Sequence, residues 1–393
     1  MLFRSIRPKK IEFISYPYEW SYSQFQDAAL VALEVQRRAL LRGMTLKDCS
    51  VYNIQFHQGR PIFIDTLSFE IYREGEPWVG YRQFCEHFLA PLALQSLTDY
   101  RLGQLCRTNI DGVPLDLAAR LLPWRSMLRF GLGVHIHIHS ALQRSQAGEA
   151  GPSKGRNLNQ RALLGLVDSL QSTVRGLRWK PRGKGWATYY DDNSYTPEEF
   201  QRKARLVAEF LNRTRSSSVW DLGANTGYFS HLASELGLST IAFDFDPACV
   251  ERTYLEVKQR QAKNLLHLVQ DLFNPSPASG WLNQERSSIF ERGSPDLVLA
   301  LALVHHLAFT GNQPLANLAS FFSGLAPWLV IEFVPETDSQ SQILRAQRRG
   351  IHHRYDRTHF EECFGKHFTI IISEPVSHSG RVLYLMRRRG TLE

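Results

Sequence analysis

The stretch Ser218-Val-Trp-Asp221-Leu-Gly223-Ala-Asn225-Thr-Gly227-Tyr-Phe229 constrains this chain more than any other. A β-branched and aromatic run ends on an acid, a glycine-rich turn follows, and a helix then begins. That order describes a strand, a tight loop and a helix N-terminus. Its backbone is bare enough to hold a small ligand.

From residue 217 onward the pattern alternates. Strands are expected at 218–222, 239–243, 265–269, 296–303 and 328–333, with helices at 227–236, 250–258 and 313–325. Two further strands, 368–373 and 381–386, flank a turn at Ser377-His-Ser-Gly380 and read as an antiparallel hairpin. Alternation of this kind builds a doubly wound α/β sheet with helices on both faces, and such sheets bind ligands at the carboxyl ends of their strands. Asp221, Asp244 and Asp271 each stand at such an end, and His305-His306 follow the fourth strand. Upstream, Thr196-Pro197-Glu198-Glu199 reads as a capping box opening a helix that runs to about residue 211. Tyr195, just before it, lies where it can close over a ligand at the glycine turn.

These residues resemble the class I S-adenosylmethionine-dependent methyltransferases over roughly the last 180 residues, a domain-sized stretch. The resemblance implies a seven-stranded Rossmann-like sheet ending in an antiparallel hairpin, and S-adenosyl-L-methionine as cofactor. It implies that the turn at Gly223 and Gly227 takes the methionine part, with Asp221 ordering the loop. Asn225 stands where the usual middle glycine would be. Asp244 would hold the ribose hydroxyls, and Asp271 would lie near the adenine amino group with Leu272 flanking the ring. The pair His305-His306 is similar to the histidines that follow strand four in many small-molecule methyltransferases, which makes them the candidates for a base or for orienting the acceptor. A loop histidine packed under the cofactor is the alternative. Glu332 and Glu336 come second as candidate bases.

The first half reads differently. Apolar residues at helical spacing fill 22–41, with Gly43 as a stop, and helical spacing returns over 78–97. Between them lie Asp48, Asn53 and, after a Gln58-Gly59 turn, a short strand ending at Asp65. Over about forty residues this order resembles the C-lobe of kinase-like phosphotransferases, which implies that Asp48 would accept a proton and that Asn53 and Asp65 would hold Mg²⁺. Too little chain precedes it for a nucleotide-binding lobe. There is no glycine-rich loop or Val-Ala-Ile-Lys strand, and Leu46 replaces the usual histidine. A module that packs, binds substrate or positions the second domain is therefore expected. His135, His137 and His139 alternate further on, but no Cys, Asp or Glu nearby completes a ligand set, so no metal is expected. The expected organisation is a mainly helical kinase-like module over 1–123, a helical connector over 124–195 with a linker near 145–159, and the methyltransferase domain over 196–393.

Composition narrows the surroundings. Lys+Arg 46 against Asp+Glu 38 gives a net charge of +8, which permits an anionic partner without demanding one. Five scattered cysteines without CxxC spacing fit a reducing cytoplasm better than a disulfide framework. The basic N-terminus lacks the apolar run of a signal peptide, and the longest apolar run, 297–304, is far too short to span a bilayer, so no membrane partner is expected. The expected activity is methyl transfer to an O or N acceptor, a small molecule first. A protein- or RNA-directed enzyme and a cofactor-binding scaffold are the alternatives. An Asn/Asp-Pro-Pro-Tyr signature after strand four is absent. The basic cluster Arg345, Arg348, Arg349, His352, His353, Arg354 and Arg357 allows an anionic acceptor, and nucleic acid is permitted but not indicated.

Overall fold

A computed structural model describes residues 8–141, 159–181, 195–347, 353–376, 378 and 380–390. The chain divides into two compact units, Met1–Arg182 and Gly183–Glu393. The expected linker falls almost entirely outside the described residues, as do Arg348, Arg349 and His352 of the basic cluster and Ser377 and Ser379 of the hairpin turn.

The first unit is built on the helix Tyr22–Leu40, whose N-cap Ser21 exchanges reciprocal bonds with Gln24. Two short antiparallel ladders flank it: β1 (Met44–Leu46) with β4 (Phe69–Ile71), and β2 (Ile54–His57) with β3 (Arg60–Phe63). The turn between β2 and β3 uses left-handed Gln58 and Gly59, as the sequence suggested; β1 and β4, three residues each, carry too little pattern to be seen in advance. The helix Gln160–Gly176 packs against Tyr22–Leu40. Gln160 Nε2 donates to the Leu40 carbonyl at 2.6 Å, and Gln26 Nε2 donates to the carbonyls of Val174 and Leu177. Most of the expected connector therefore belongs to this unit instead of standing between two domains.

The second unit is a seven-stranded sheet in the order β10-β11-β9-β8-β5-β6-β7. Its strands are β5 (Ser218–Leu222), β6 (Ser239–Asp244), β7 (Leu265–Val269), β8 (Leu297–Ala300), β9 (Trp328–Phe333), β10 (Phe368–Pro375) and β11 (Val382–Arg388). The pairs β7-β6-β5-β8-β9 are parallel, and β11 and β10 close the sheet antiparallel. The order reverses at β5, where parallel strands part to either side. That switch point places the crevice above Asp221. The register sets Asp221 beside Ala242 of β6 and Leu299 of β8, and Asp244 beside Val269 of β7.

One face of the sheet is covered by the helix Pro197–Thr214, capped by Thr196 and Glu199 as expected. Its stripe of Val207, Phe210 and Leu211 packs with Val219, Phe229, Leu297, Leu299, Val330 and Leu385. Full burial of each such side chain stabilises by about 1.5–3 kcal/mol. β8 is shorter than the expected 296–303. Ala302 adopts φ 49°, so the chain leaves the ladder after Ala300 and turns over the crevice.

Gly227 adopts φ 78°, and a Cβ there would meet Thr253 Cγ2 at 2.8 Å; Gly237 adopts φ 87° facing open space. Gly237→Ala is expected to cost about 1–2 kcal/mol, the left-handed penalty alone. Gly227→Ala adds the collision with Thr253 and should cost clearly more in chemical denaturation of the full chain. Equal costs would show that the close approach carries no energy.

Candidate active site

The glycine turn is shaped by its hydrogen bonds. Gly223 and Ala224 N–H both donate to the Phe243 carbonyl of β6. Asn225 N–H donates to Asp244 Oδ2 at 2.7 Å, and Asp246 N–H donates to Oδ1 at 2.8 Å. Asn225 adopts φ 52°. Among residues with a Cβ, Asn enters this region most readily, which explains why it can replace the middle glycine. Gly223 adopts φ 73°, and a Cβ there would press on Leu303 Cδ1 at 3.0 Å. The backbone is left bare where Leu303 comes over from the other side of the crevice.

A cavity of about 370 Å³ opens at this point. Its walls include Asp221, Gly223, Asn225, Asp244, Asp271 and Leu272, so the three strand-end acids and the turn face one space. Tyr195 and His306 also border it. Gly227 does not; it starts the helix Tyr228–Glu235 at its left-handed N-cap.

The acids differ in state. Asp221 is buried and accepts from Ser230 Oγ at 2.6 Å; burial raises its pKa to about 6 despite Ser230 and the nearby Lys203. Burial raises Asp244 further, to about 7, against the pull of its two backbone donors. Asp271 is exposed and its Oδ1 accepts from Phe273 N–H at 2.8 Å, closing a local turn.

The two histidines part company. Both lie on the short helix Val304–Phe309, not at the end of β8. Their rings lie against each other with centroids 4.3 Å apart, yet their surroundings differ. His306 borders the cavity, and burial followed by Arg381 lowers its pKa to about 4, keeping it neutral. His305 is completely buried with neither ring nitrogen hydrogen-bonded, and burial drives its pKa well below the ordinary value. The ring named as a candidate base is thus sealed in the core and does not border the cavity.

Sequence reasoning singled out Tyr195 and Glu332 but not the buried network that joins them to Lys203 and Arg381; of these four, Tyr195 and Lys203 border the cavity. Lys203 Nζ meets Glu332 Oε2 at 2.7 Å, both side chains being essentially inaccessible. Tyr195 donates its hydroxyl proton to Glu332 and accepts from Arg381 Nη1 at 2.8 Å, while Arg381 Nε pairs with Asp338 at 2.8 Å. Burial opposes ionisation of Glu332, but Lys203 and Arg381 hold its pKa below the ordinary value, so it is ionised and occupied. That geometry suits an anchor and not a base. The Tyr195 hydroxyl is thus spoken for, and Arg381 lies over its ring at 4.5 Å. Two signals were available: Lys203 falls on the apolar stripe Phe200, Lys203, Val207 of its helix, and Glu332 interrupts an apolar strand. Phe245 and Phe273, which follow the second and third acids, also line the cavity and were not picked out.

Residues 195–369 match the family model described as a methyltransferase domain. Over 391 residues the chain is 36% identical to the nodulation protein NoeA of Rhizobium meliloti (strain 1021), covering 98% of this chain and 82% of that protein. The chain belongs to the NoeA family. Its C-terminal unit is a class I methyltransferase domain, with the sheet order and closing hairpin expected of one. Among solved structures it is similar to magnesium protoporphyrin IX methyltransferase (ChlM) from Synechocystis PCC 6803 with bound SAH, at 17% identity, 52% of this chain, 93% of that chain and a TM-score of 0.37. It is also similar to the N-methyltransferase NodS from Bradyrhizobium japonicum WM9, at 13% identity, 49% of this chain, 98% of that chain and a TM-score of 0.36. The bifunctional kinase-methyltransferase WbdD aligns at 14% identity over 51% of this chain and 42% of its own, with a TM-score of 0.37.

In the first unit the residues singled out by sequence are engaged locally. Asp48 Oδ1 accepts from Ser50 N–H and Gln83 Nε2, and Asn53 Nδ2 donates to Ser68 Oγ, which in turn donates to Asp65. His135 bonds Tyr81 and Ser169, His137 bonds Ser126, and His139 stacks on Tyr81.

Removing one partner of a buried ion pair strands the other. Lys203→Met is expected to destabilise the C-terminal unit by about 3–5 kcal/mol, read from urea denaturation. Lys203→Met with Glu332→Leu should recover part of that loss. A neutral single variant would mean that the pair is not buried as described.

Proposed function

We propose that the C-terminal unit is an S-adenosyl-L-methionine-dependent methyltransferase acting on an O or N nucleophile of a small molecule. The observation that carries this reading is the convergence of Asp221, Asp244 and Asp271, from the ends of β5, β6 and β7 or just beyond, on one 370 Å³ cavity beside a bare glycine turn. The residues fit the cofactor. Asp244 is a buried carboxylate fixed by two backbone donors and facing the cavity, suited to accept from two vicinal hydroxyls. Leu272 and Phe245 offer apolar faces for a purine, and Asp271 lies beside them. Gly223 leaves room for a polar chain to lie against backbone, with Asp221 and Tyr195 at the same wall.

When bound, the cofactor supplies a methyl group activated on a sulfonium. The chain's own part is alignment, exclusion of water and removal of a proton from the acceptor. His306 is neutral and borders the cavity, which places an imidazole where it can orient the acceptor or receive that proton. Phe200, Phe229, Leu301 and Leu303 make the remaining walls largely apolar, which favours a compact acceptor. The described arginines of the basic cluster are already matched by acids, Arg345 with Glu336, Arg354 with Asp356 and Arg357 with Glu361. Their charge therefore does not argue for an RNA acceptor.

Two tests follow. Asp244→Ala should weaken cofactor affinity by at least about tenfold, the loss expected for a charge-assisted two-point contact; unchanged affinity in calorimetry would remove the ribose assignment. In the wild-type chain Asp244 must be ionised to accept from the ribose, so affinity should fall as pH drops below about 7. The slope approaches about tenfold per pH unit and should vanish in Asp244→Ala. His306→Ala should leave cofactor affinity intact and abolish turnover, whereas His305→Leu should retain turnover if it folds. The reverse pattern would reassign the base.

A further inference from the structure

Residues 121–130 of the first unit read Leu-Leu-Pro-Trp-Arg-Ser-Met-Leu-Arg-Phe. The chain leaves the helix Leu115–Leu121, makes one 3-10 segment over Trp124–Leu128, and enters a helical turn at Phe130–Leu132. Leu122 and Ser126 point inward; Ser126 Oγ bonds His137 Nε2 at 2.8 Å. The large apolar side chains point outward, with Trp124 68%, Met127 59%, Leu128 76% and Phe130 80% exposed. Single exposed apolar residues are ordinary, but four within seven consecutive positions mark a surface for interaction.

The backbone holds them there. Ser126 N–H donates to Pro123 O, Arg129 N–H to Ser126 O, and Gly133 N–H to Arg129 O. Gly131 is pressed against the helix Gln160–Gly176 so closely that a Cβ would come within 1.9 Å of Thr173 Oγ1. The outward tips are thus carried on a fixed support.

Charge identifies the occupant. Residues 117–141 contain Arg120, Arg125 and Arg129 and no Asp or Glu. None of the three forms an ion pair among the described residues. Arg125 lies over the Trp124 ring at 5.6 Å. A second copy docked on this patch about a two-fold axis would set arginines against arginines. A nucleic acid would leave Met127, Leu128 and Phe130 without a complementary surface. An anionic bilayer interface suits both features, taking Trp, Phe and Leu tips at the headgroup boundary and guanidinium groups at its phosphates.

We propose that Trp124, Met127, Leu128 and Phe130, ringed by Arg120, Arg125 and Arg129, dock this protein peripherally on an anionic membrane surface. No helix among the described residues is long and apolar enough to cross a membrane. The expectation of no membrane partner rested on that spanning length, which surface binding does not require.

The test is flotation of the full chain with phosphatidylcholine vesicles, with and without phosphatidylglycerol. The wild-type chain should float with the anionic vesicles and dissociate in high salt. A basic residue near such a surface is worth about fivefold in partitioning, so Arg120→Gln/Arg125→Gln/Arg129→Gln should lower binding by about a hundredfold. Leu128→Glu/Phe130→Glu should abolish it, while Phe130→Leu, the folding control, retains it. Brominated lipid should quench wild-type tryptophan fluorescence more than that of Trp124→Phe. Absence of wild-type binding, or binding indifferent to these substitutions with circular dichroism unchanged, overturns the proposal. So does concentration-dependent self-association in sedimentation that Leu128→Glu/Phe130→Glu removes, because the occupant would then be a second copy.

Discussion

The second unit depends on the carboxylate of Asp244. One oxygen accepts from Asn225 in the glycine turn and the other from Asp246 at the start of the next helix. The side chain therefore ties the loop after β5 to the loop after β6 across the point where the sheet changes direction. Two further bonds, from Gly223 and Ala224 to the Phe243 carbonyl, tighten the same junction. The cavity opens beside this junction and is bordered by residues of both loops, Asn225 and Phe245 among them. A buried carboxylate is costly, and its raised pKa is the sign of that cost. Its charged form is favoured by hydrogen-bond donors, and a ligand with two hydroxyl groups is well matched to supply them.

The buried network that reaches the cavity through Lys203 and Tyr195 solves a related problem differently. Lys203, Glu332, Tyr195 and Arg381 are each buried or nearly so, and each is satisfied by another member of the group. Such a network rigidifies a wall when complete and fails when one member is lost. It also bears on the histidines. Lys203 and Arg381 add positive potential to the burial that keeps His305 neutral, and Arg381 does the same for His306. A neutral imidazole can accept a proton where a cationic one cannot. Of the two, His306 is the one that meets the cavity.

Much of the second unit was legible because parallel α/β folds write their rules locally. Strands end in an acid or a turn, some helices carry a readable cap, and the glycine turn has a fixed grammar. The capping box at Thr196, the glycine turn at Gly223–Gly227 and the closing hairpin were all readable on that basis. Which neighbour of an adjacent pair faces the cavity was not readable, since His305 and His306 differ only in helical phase. The buried network was hidden because its members lie up to 186 positions apart, as with Tyr195 and Arg381. In the first unit the three-residue strands β1 and β4 are stabilised by pairing with each other, which no local pattern announces. The helix Gln160–Gly176 joined the first unit through side-chain bonds to distant carbonyls, beyond the reach of a composition-based boundary.

The most direct measurement of the central claim is a crystal structure of the full chain with S-adenosylhomocysteine. The account predicts the ribose hydroxyls on Asp244, the adenine between Phe245 and Leu272, and the amino-acid end against the turn at Gly223. A ligand bound elsewhere, or bound in this cavity with its ribose away from Asp244, would contradict it.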